Sequence, residues 1–384
     1  MLLIKNGKII TMSDKNYENG CILIHDNKIV DIQEYIEESD NMEVIDAKGA
    51  WVMPGIIEAH CHIGLSEEGI RFEGDDINEA TNPITAHLRA IDAINPLDIA
   101  FTDAIKGGIT SAMTGPGSAN VCGGKFVFMK MAGESIDDMI VENDYAMKVA
   151  FGENPKRVYS SKSTSPSTRM ATASILREAL LKAKNYKNKK EEANKNGEYF
   201  EIDFKQECWM DVLDKKIPLK AHAHRADDIL TAIRIAKEFD VNMTLDHCTE
   251  GHLIPENIKK SGFSAIVGPS LMNRSKYELK NKTFETSGIL NKHGVTVAIT
   301  TDHPVVPIQY LPICAGFAAK AGLGVEEGLK AITINAAKIC GVDDRVGSLE
   351  VGKDADIAIF TGNPMETFTE TLYTIINGKV VYSK

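Results

Sequence analysis

The chain has 384 residues, of which 43% are hydrophobic, so it can bury a substantial core. Its formal net charge is −11 and it contains no basic block, so we expect no nucleic-acid partner. No apolar run reaches the roughly 18 residues of a membrane span, so we expect no transmembrane helix. The first residues lack the pattern of a secretory signal. The seven cysteines are irregularly spaced, which favours a reduced, cytoplasmic location.

Short strands joined by tight turns are predicted at both ends of the chain. The dipeptides Asn6-Gly7, Asp26-Asn27 and Asn377-Gly378 lie between short apolar runs, a pattern typical of β-hairpins. The flanking runs are Leu2–Lys5 with Lys8–Thr11, Cys21–His25 with Lys28–Ile32, and Thr374–Asn377 with Lys379–Tyr382. We therefore expect residues 1–54 and 346–384 to pair into one small β-sandwich domain.

Between residues 55 and 345, strand-like and helix-like segments alternate, which favours βα units and a parallel sheet. The predicted strands are Ile56–His62, Thr110–Thr114, the weakly strand-like Lys125–Met129, Met147–Gly152, Leu219–His222, Met243–His247, Ala265–Gly268 and Val295–Thr300. The predicted helices include Pro96–Lys106, Ser167–Lys184, Ala226–Phe239 and Val325–Ile339, and the Lys/Asn/Glu-rich residues 184–200 are expected to form a solvated helix end and loop. The fold class predicted for 55–345 is α/β, a (β/α)₈ TIM-type barrel.

Residues that can bind a metal follow five of these strands. Active sites of parallel barrels form at the carboxyl ends of the strands, and these ends carry His60 and His62, Glu153, His222 and His224, His247, and Asp302 and His303. A single His-x-His motif is short enough to occur by chance. Residues that can bind a metal also stand at four further strand ends, and together these ends predict one metal site.

The residue types at these strand ends fit a hydrolytic metal centre. His60 and His62 can hold one divalent ion, and His247 with His222 or His224 can hold a second. A carboxylate such as Glu153 can bridge two ions, whereas Asp302 can ligate an ion, take a proton from water and pass it to a leaving amine. Zinc suits this donor set, with manganese, iron or cobalt as alternatives, at one or two ions per chain.

Other roles are open for several of these residues. Asp302 could cap a helix, and Glu153 could belong to a turn before Asn154-Pro155. His222 is the preferred ligand, with His224 as a substrate contact or an alternative ligand. Asn273 and Arg274, after the Ala265–Gly268 strand, are candidates for binding a substrate carboxylate, and His303 is a further candidate for substrate contact.

Three segments resemble the amidohydrolase superfamily. Pro54-Gly-Ile-Ile-Glu-Ala-His-Cys-His62 is similar to its opening motif, Gly347–Asp356 resembles its return into the small β-domain, and Thr333–Lys338 also matches. The resemblance covers nearly the whole chain. It implies a (β/α)₈ barrel with a composite β-sandwich, a metal-dependent hydrolase, the ligands His60, His62, His222 and His247, and Asp302 as ligand and base.

The chain departs from this family at one position. Many members bridge two metals with a lysine carboxylated by CO₂, whereas the matching region Lys148–Pro155 offers Glu153. This resembles the subset with a carboxylate bridge, as in the acetylglucosamine-phosphate deacetylase branch. The Gly-rich segment Gly115–Gly124 looks closest to imidazolonepropionase-related members.

The residues described above are compatible with three functions. The favoured one is hydrolysis of an amide or cyclic amide in a small molecule, such as an N-acyl amino acid, a dipeptide or an imidazolone, with deacetylation of an N-acyl sugar as a variant. Ring deaminases usually carry His-x-x-Glu after the fifth strand, and His222-Ala-His-Arg225 lacks that acid. A non-enzymatic assembly protein would be expected to lose ligands that this chain keeps. No membrane partner is expected, and a homo-oligomer is left open.

Overall fold

The computed structural model describes residues 1–69 and 71–384, which form two separate eight-stranded sheets and the helices around them. The strands are β1 Leu2–Ile9, β2 Tyr17–His25, β3 Lys28–Gln33, β4 Glu43–Asp46, β5 Trp51–Pro54, β6 Ile56–Cys61, β7 Ile109–Thr114, β8 Cys122–Lys130, β9 Ile140–Ala150, β10 Leu219–Ala223, β11 Met243–His247, β12 Ser264–Val267, β13 Val297–Ile299, β14 Ile357–Phe360, β15 Thr371–Ile376 and β16 Lys379–Ser383. The α-helices are α1 Ile99–Lys106, α2 Ile136–Met139, α3 Glu153–Ser161, α4 Arg169–Asn196, α5 Phe204–Glu207, α6 Met210–Leu213, α7 Ala226–Phe239, α8 Pro255–Ser261, α9 Thr286–Lys292, α10 Leu311–Ala318, α11 Val325–Ala331 and α12 Ile334–Cys340. Within the described ranges, no helix is both long enough and apolar enough to cross a membrane.

Strands from both ends of the chain form the first sheet, in the order β16-β15-β14-β5-β1-β2-β3, with β4 beside β1. The two ends meet where β14 pairs antiparallel with β5, with Ile357 opposite Pro54. The alternating apolar residues of these strands pack into their own core, which includes Ile22, Val52 and Ile357. The predicted pairing of the two termini is confirmed.

Two of the three predicted hairpins are confirmed, β2–β3 and β15–β16. The hairpin predicted at Asn6-Gly7 is wrong, because both residues lie inside the continuous strand β1. The pairing of β1 with β2 shifts register on both sides of Gly7. A Cβ atom on Gly7 would lie 2.5 Å from Cγ2 of Val52, so the glycine permits close packing of strands rather than a turn.

The second sheet is a nearly closed barrel in the order β13-β12-β11-β10-β9-β8-β7-β6. Its two edge strands are β6 and β13. The gap between them is crossed by hydrogen bonds from the His62 N–H to the His303 carbonyl (2.9 Å) and from the Thr300 hydroxyl to the His60 carbonyl (2.5 Å). The predicted fold class, an α/β barrel beside a sheet from both chain ends, is confirmed.

The third barrel strand differs from a regular (β/α)₈ arrangement. The predicted strand Lys125–Met129 exists as part of β8, but β8 runs antiparallel to both β7 and β9. Only residues 115–121 connect β7 to β8, whereas a parallel neighbour needs a crossover of about a dozen residues or more. The reversal places residues 115–121 at the end of the barrel where the parallel strands finish.

Two predicted helices have different bounds. The helix predicted to end at Lys184 continues as α4 to Asn196, because buried side chains such as Leu180, Ala183 and Ala193 recur along it, and Gly197 ends it in a left-handed conformation. The helix predicted over Val325–Ile339 is instead two helices, α11 and α12. Thr333 between them has φ −137° and ψ −102°, which is not helical.

A buried ion cluster joins the barrel to the first sheet. Lys130, at the end of β8, is buried, and its ammonium group contacts the carboxylates of Asp354 (3.2 Å) and Asp356. Arg345 also donates to Asp354 at 2.9 Å. Asp356 further accepts a hydrogen bond from the Asn377 N–H at 2.9 Å, so the segment that enters β14 is held against the barrel.

We expect Lys130→Met to destabilise the protein by about 3–5 kcal/mol, because it leaves two buried carboxylates without their shared partner. Equilibrium denaturation in urea measures this change. The control Lys106→Met removes an exposed ion pair to Asp103 and should change the free energy of unfolding by less than about 0.5 kcal/mol. Equal effects of both variants would contradict a structural role for the cluster.

Candidate active site

His60, His62 and Asp302 form the first group of potential metal ligands, at the ends of β6 and β13. The Asp302 Oδ1 atom lies 3.3 Å from His62 Nε2 and 3.5 Å from His60 Nε2. His62 Nδ1 is 2.6 Å from the carbonyl oxygen of Gly115, and His60 Nδ1 is 3.1 Å from Oδ2 of Asp246. Because both of these oxygens only accept, the Nδ1 atoms carry the protons and the Nε2 lone pairs face Asp302.

The second group contains His222 and His224 at the end of β10 and His247 at the end of β11. His247 Nδ1 is 2.8 Å from the Gly268 carbonyl oxygen, and His224 Nδ1 is 2.7 Å from the Thr249 hydroxyl. The ring centroid of His247 lies 4.4 Å from that of His222 and 4.8 Å from that of His224. The structure therefore brings both alternatives for the second site beside His247.

Lys148 is a site residue that the sequence prediction missed. It lies on β9, and its Nζ atom is 3.2 Å from His60 Nε2. It pairs across the sheet with Lys220, and both ammonium groups lie 5.5 Å from the ring centroid of Phe126 in the barrel interior. Burial lowers the pKa of Lys148 to about 8. A lysine inside a predicted buried strand is a signal that could have identified it, because unpaired lysines are rarely buried.

Glu153 lies outside both groups of potential ligands. It is the first residue of α3, and its backbone N–H donates to Oε2 of Glu278 at 2.9 Å. The next residue, Asn154, comes closer to the histidines, with its side-chain nitrogen 3.4 Å from His222 Nε2. Among the described residues, Lys148 and not Glu153 contacts a potential ligand of the first group.

Buried charges around the histidines are balanced within the barrel. Although burial opposes ionisation, Lys220 and His60 hold the pKa of Asp246 well below its usual range.

The imidazoles of the second group are held in their neutral form. Burial lowers the pKa of His247 to about 3 and holds those of His222 and His224 well below their usual range. Neutral imidazoles and an ionised carboxylate are the forms that bind metals.

The predicted substrate contacts after β12 belong to neither group of potential metal ligands. Asn273 and Arg274 are exposed, and the Arg274 guanidinium donates to the carbonyl oxygens of Lys280 (3.1 Å) and Lys282 (2.9 Å), so it braces its own segment. His303 is buried beside the first group. Its Nδ1 accepts from the Ile308 N–H at 3.3 Å, its Nε2 has no hydrogen-bond partner in the described chain, and burial lowers its pKa to about 4.

Glu278 is a second residue that the sequence prediction missed. It is buried on the segment that follows β12, and its Oε1 atom lies 3.7 Å from His224 Nε2. Burial raises its pKa to about 7. No sequence motif identifies Glu278, because it comes close to the histidines only through the folded path of residues 268–285.

The sequence model of the amidohydrolase family matches residues 51–381, which includes both groups of histidines. The chain belongs to the amidohydrolase family. The structure of an amidohydrolase from Thermotoga maritima MSB8 superposes with a TM-score of 0.97 at 42% identity, covering 100% of both chains. The family resemblance seen in the sequence is thus confirmed.

Two curated relatives extend the comparison within the family. An imidazolonepropionase from Colwellia psychrerythraea is 24% identical over 398 residues, covering 93% of this chain and 90% of that protein. The amidohydrolase tasK from Hapsidospora irregularis is 28% identical over 391 residues, covering 96% of this chain. The chain spans only 39% of the length of tasK.

We expect Asp246→Asn to lower the affinity for a divalent ion by about 10- to 100-fold, because His60 loses the carboxylate that orients its ring. Competition with a chelator, followed by metal analysis of the protein, measures the affinity. Asp240→Asn, at an exposed carboxylate after α7, is the matched control. An unchanged affinity in Asp246→Asn would show that the contact with His60 does not support metal binding.

Proposed function

We propose that the protein is a binuclear metal-dependent hydrolase that cleaves the C–N bond of an amide or cyclic amide in a small molecule. One observation carries this proposal. Oδ1 of Asp302 is buried without a hydrogen-bond partner in the described chain and faces the Nε2 lone pairs of His60 and His62. Acceptors that face one another without a proton repel, and a cation between them removes that repulsion.

The donor set divides between two ions. His60, His62 and Asp302 would hold the first, and His247 with His222 or His224 would hold the second. Lys148 would supply a shared carboxylate ligand as a carbamate, formed when its neutral amine adds CO₂ and releases one proton to solvent, because its Nζ atom is already beside His60. Zinc fits imidazole and carboxylate donors.

The protein's own residues can then orient and activate the reactants. Divalent ions supply Lewis acidity, which polarises a carbonyl and makes water more acidic. The Asp302 carboxylate, ionised and beside both groups, accepts the proton from the attacking water and delivers it to the leaving nitrogen. The enclosing barrel keeps these groups out of bulk water, where their interactions would be weaker.

The surroundings of His224 favour amide hydrolysis over ring deamination. Asp227, three residues after His224, is the acid closest to a His-x-x-Glu pattern. Its carboxylate is bound by Arg225 through two hydrogen bonds of 2.9 Å and by Arg169, and its side chain is half exposed. The Asp227 carboxylate therefore forms an ion pair at the surface and does not serve as a proton shuttle.

A screen of the metal-loaded protein tests the proposed reaction. Hydrolysis of N-acyl amino acids, dipeptides or cyclic ureides is expected, detected by amine release or loss of ring absorbance. Release of ammonia from purines or pyrimidines instead would favour a deaminase. Binding of fewer than about one divalent ion per chain, after reconstitution with zinc, would contradict a metal-dependent hydrolase.

We expect Asp302→Asn to lower kcat by about 10²- to 10⁴-fold while metal stays largely bound, because the amide keeps an oxygen ligand but cannot accept the proton. Steady-state kinetics and metal analysis of the same sample give both values. Asp344→Asn, at an exposed carboxylate, is the control and should match the wild type. Near-normal turnover of Asp302→Asn would remove Asp302 from the mechanism.

We expect Lys148→Met to lose the second ion and most activity, because its side chain cannot form a carbamate. Reconstitution of the wild type in CO₂-free buffer should likewise give less bound metal than reconstitution with bicarbonate. Lys216→Met, at a surface lysine, should retain the wild-type metal content. Equal metal content with and without bicarbonate would argue against a carbamate bridge.

A further inference from the structure

A buried carboxylate oxygen faces the metal-binding histidines without a partner of its own. Glu278 is only 1% exposed, and its Oε1 atom makes no hydrogen bond within the described residues. That atom is 3.7 Å from His224 Nε2, whereas Oε2 accepts from the Glu153 N–H at 2.9 Å. One oxygen therefore fixes the side chain and leaves the other directed at the histidines.

The backbone of residues 268–285 holds Glu278 in this position. Arg274 binds the carbonyl oxygens of Lys280 and Lys282, and the Lys282 ammonium binds the carbonyl oxygens of Ser270 (2.5 Å) and Met272. These contacts close the segment on itself. Glu278 consequently projects from a braced loop, which suits a group that must meet a ligand at a fixed place.

A second carboxylate oxygen without a hydrogen-bond partner lies beside Gly152. Asp228, in the first turn of α7, is 4% exposed, and its Oδ2 atom has no hydrogen-bond partner in the described chain. A Cβ atom on Gly152 would lie 2.8 Å from Glu278 Oε2 and 3.2 Å from Asp228 Oδ2. The two carboxylates therefore approach each other around this glycine, and each makes burial of the other more costly.

The neighbouring cations form long ion pairs with these two oxygens but donate no hydrogen bond to them. Lys276 Nζ is 3.9 Å from Glu278 Oε1 and donates instead to the Asn154 side-chain oxygen at 2.7 Å. Arg169 is 3.8 Å from Asp228 Oδ2 and binds Asp227. Both distances exceed the range of a hydrogen bond, so the pair can still accept one from a cationic ligand.

A cavity of about 360 Å³ gives a ligand access to this pair. Its lining contains both carboxylates, Gly152 and Tyr277, and also the cationic side chains of Lys156, Arg169 and Arg225. We propose that Glu278, assisted by Asp228, binds a primary ammonium group of the substrate, so that the preferred substrates are amides with a free amine next to the scissile carbonyl. This inference rests on the proposed amide hydrolysis and names the class of amide.

The dimensions of such a substrate fit the site. In an α-amino acid amide the amine nitrogen lies about 2.5 Å from the carbonyl carbon. An ammonium group bound to Glu278 Oε1 thus holds the carbonyl close to His224 and the ligands beside it. An N-acylated substrate has no ammonium group to offer and would leave Glu278 Oε1 and Asp228 Oδ2 without a hydrogen bond, which penalises it.

The test compares L-alanine p-nitroanilide with its N-acetyl derivative on the zinc-loaded protein. We expect the wild type to prefer the free amine by at least about tenfold in kcat/KM, and Glu278→Gln to lose about 10- to 100-fold on the free amine, mainly through KM. The N-acetyl compound should change by less than about threefold. Glu285→Gln, at an exposed glutamate directly before α9, is the matched control.

Binding of L-alaninol and N-acetyl-L-alaninol separates this inference from the proposed function, because it requires no turnover. Tighter binding of L-alaninol that Glu278→Gln abolishes would support the ammonium site even if no amide were hydrolysed. Hydrolysis of both anilides with the same preference in the wild type and in Glu278→Gln would overturn the inference and leave the amide hydrolase intact. Equal binding of the two alcohols to the wild type would also overturn it.

Discussion

The contact between Asp246 and His60 is the interaction around which the candidate metal site is arranged. The carboxylate lies 3.1 Å from His60 Nδ1 and 3.4 Å from the Lys220 ammonium, and the Thr244 hydroxyl donates to it at 2.9 Å. Two lysines are buried in this part of the barrel, and a buried charge without compensation is costly. Asp246 thus compensates the charge of one of these lysines and also lies beside Nδ1 of a potential metal ligand.

The two groups of potential metal ligands are predictable because barrel geometry converts sequence position into spatial proximity. His60, His222 and His247 are far apart in the chain, but each ends a strand, and parallel strands end at one edge. Lys148 is not identified by its position at a strand end, because it lies inside β9. Glu153 follows the strand directly, but it begins α3 and belongs to neither group of potential ligands.

Two features cannot be predicted from the local sequence. One is whether a strand runs parallel or antiparallel to its neighbours, and the other is which residue of a long loop lies beside the histidines. Lys125–Met129 has the composition of a strand in either orientation, and only the short connection from β7 forces it to run antiparallel. Arg274 was a reasonable candidate for carboxylate binding, but it binds the carbonyl oxygens of its own segment. The residue delivered to the site, Glu278, is specified by the folded path of that segment and by no motif.

The ion cluster at Lys130 also constrains how the chain can fold. The partner Asp356 is 226 residues further along the chain, and the strands that complete the first sheet come later still. Contacts this distant in sequence form slowly, because a long loop must close before they stabilise anything. The barrel therefore contains a lysine that stays uncompensated until the C-terminal segment docks, so the two sheets are expected to reach their native state in one cooperative step.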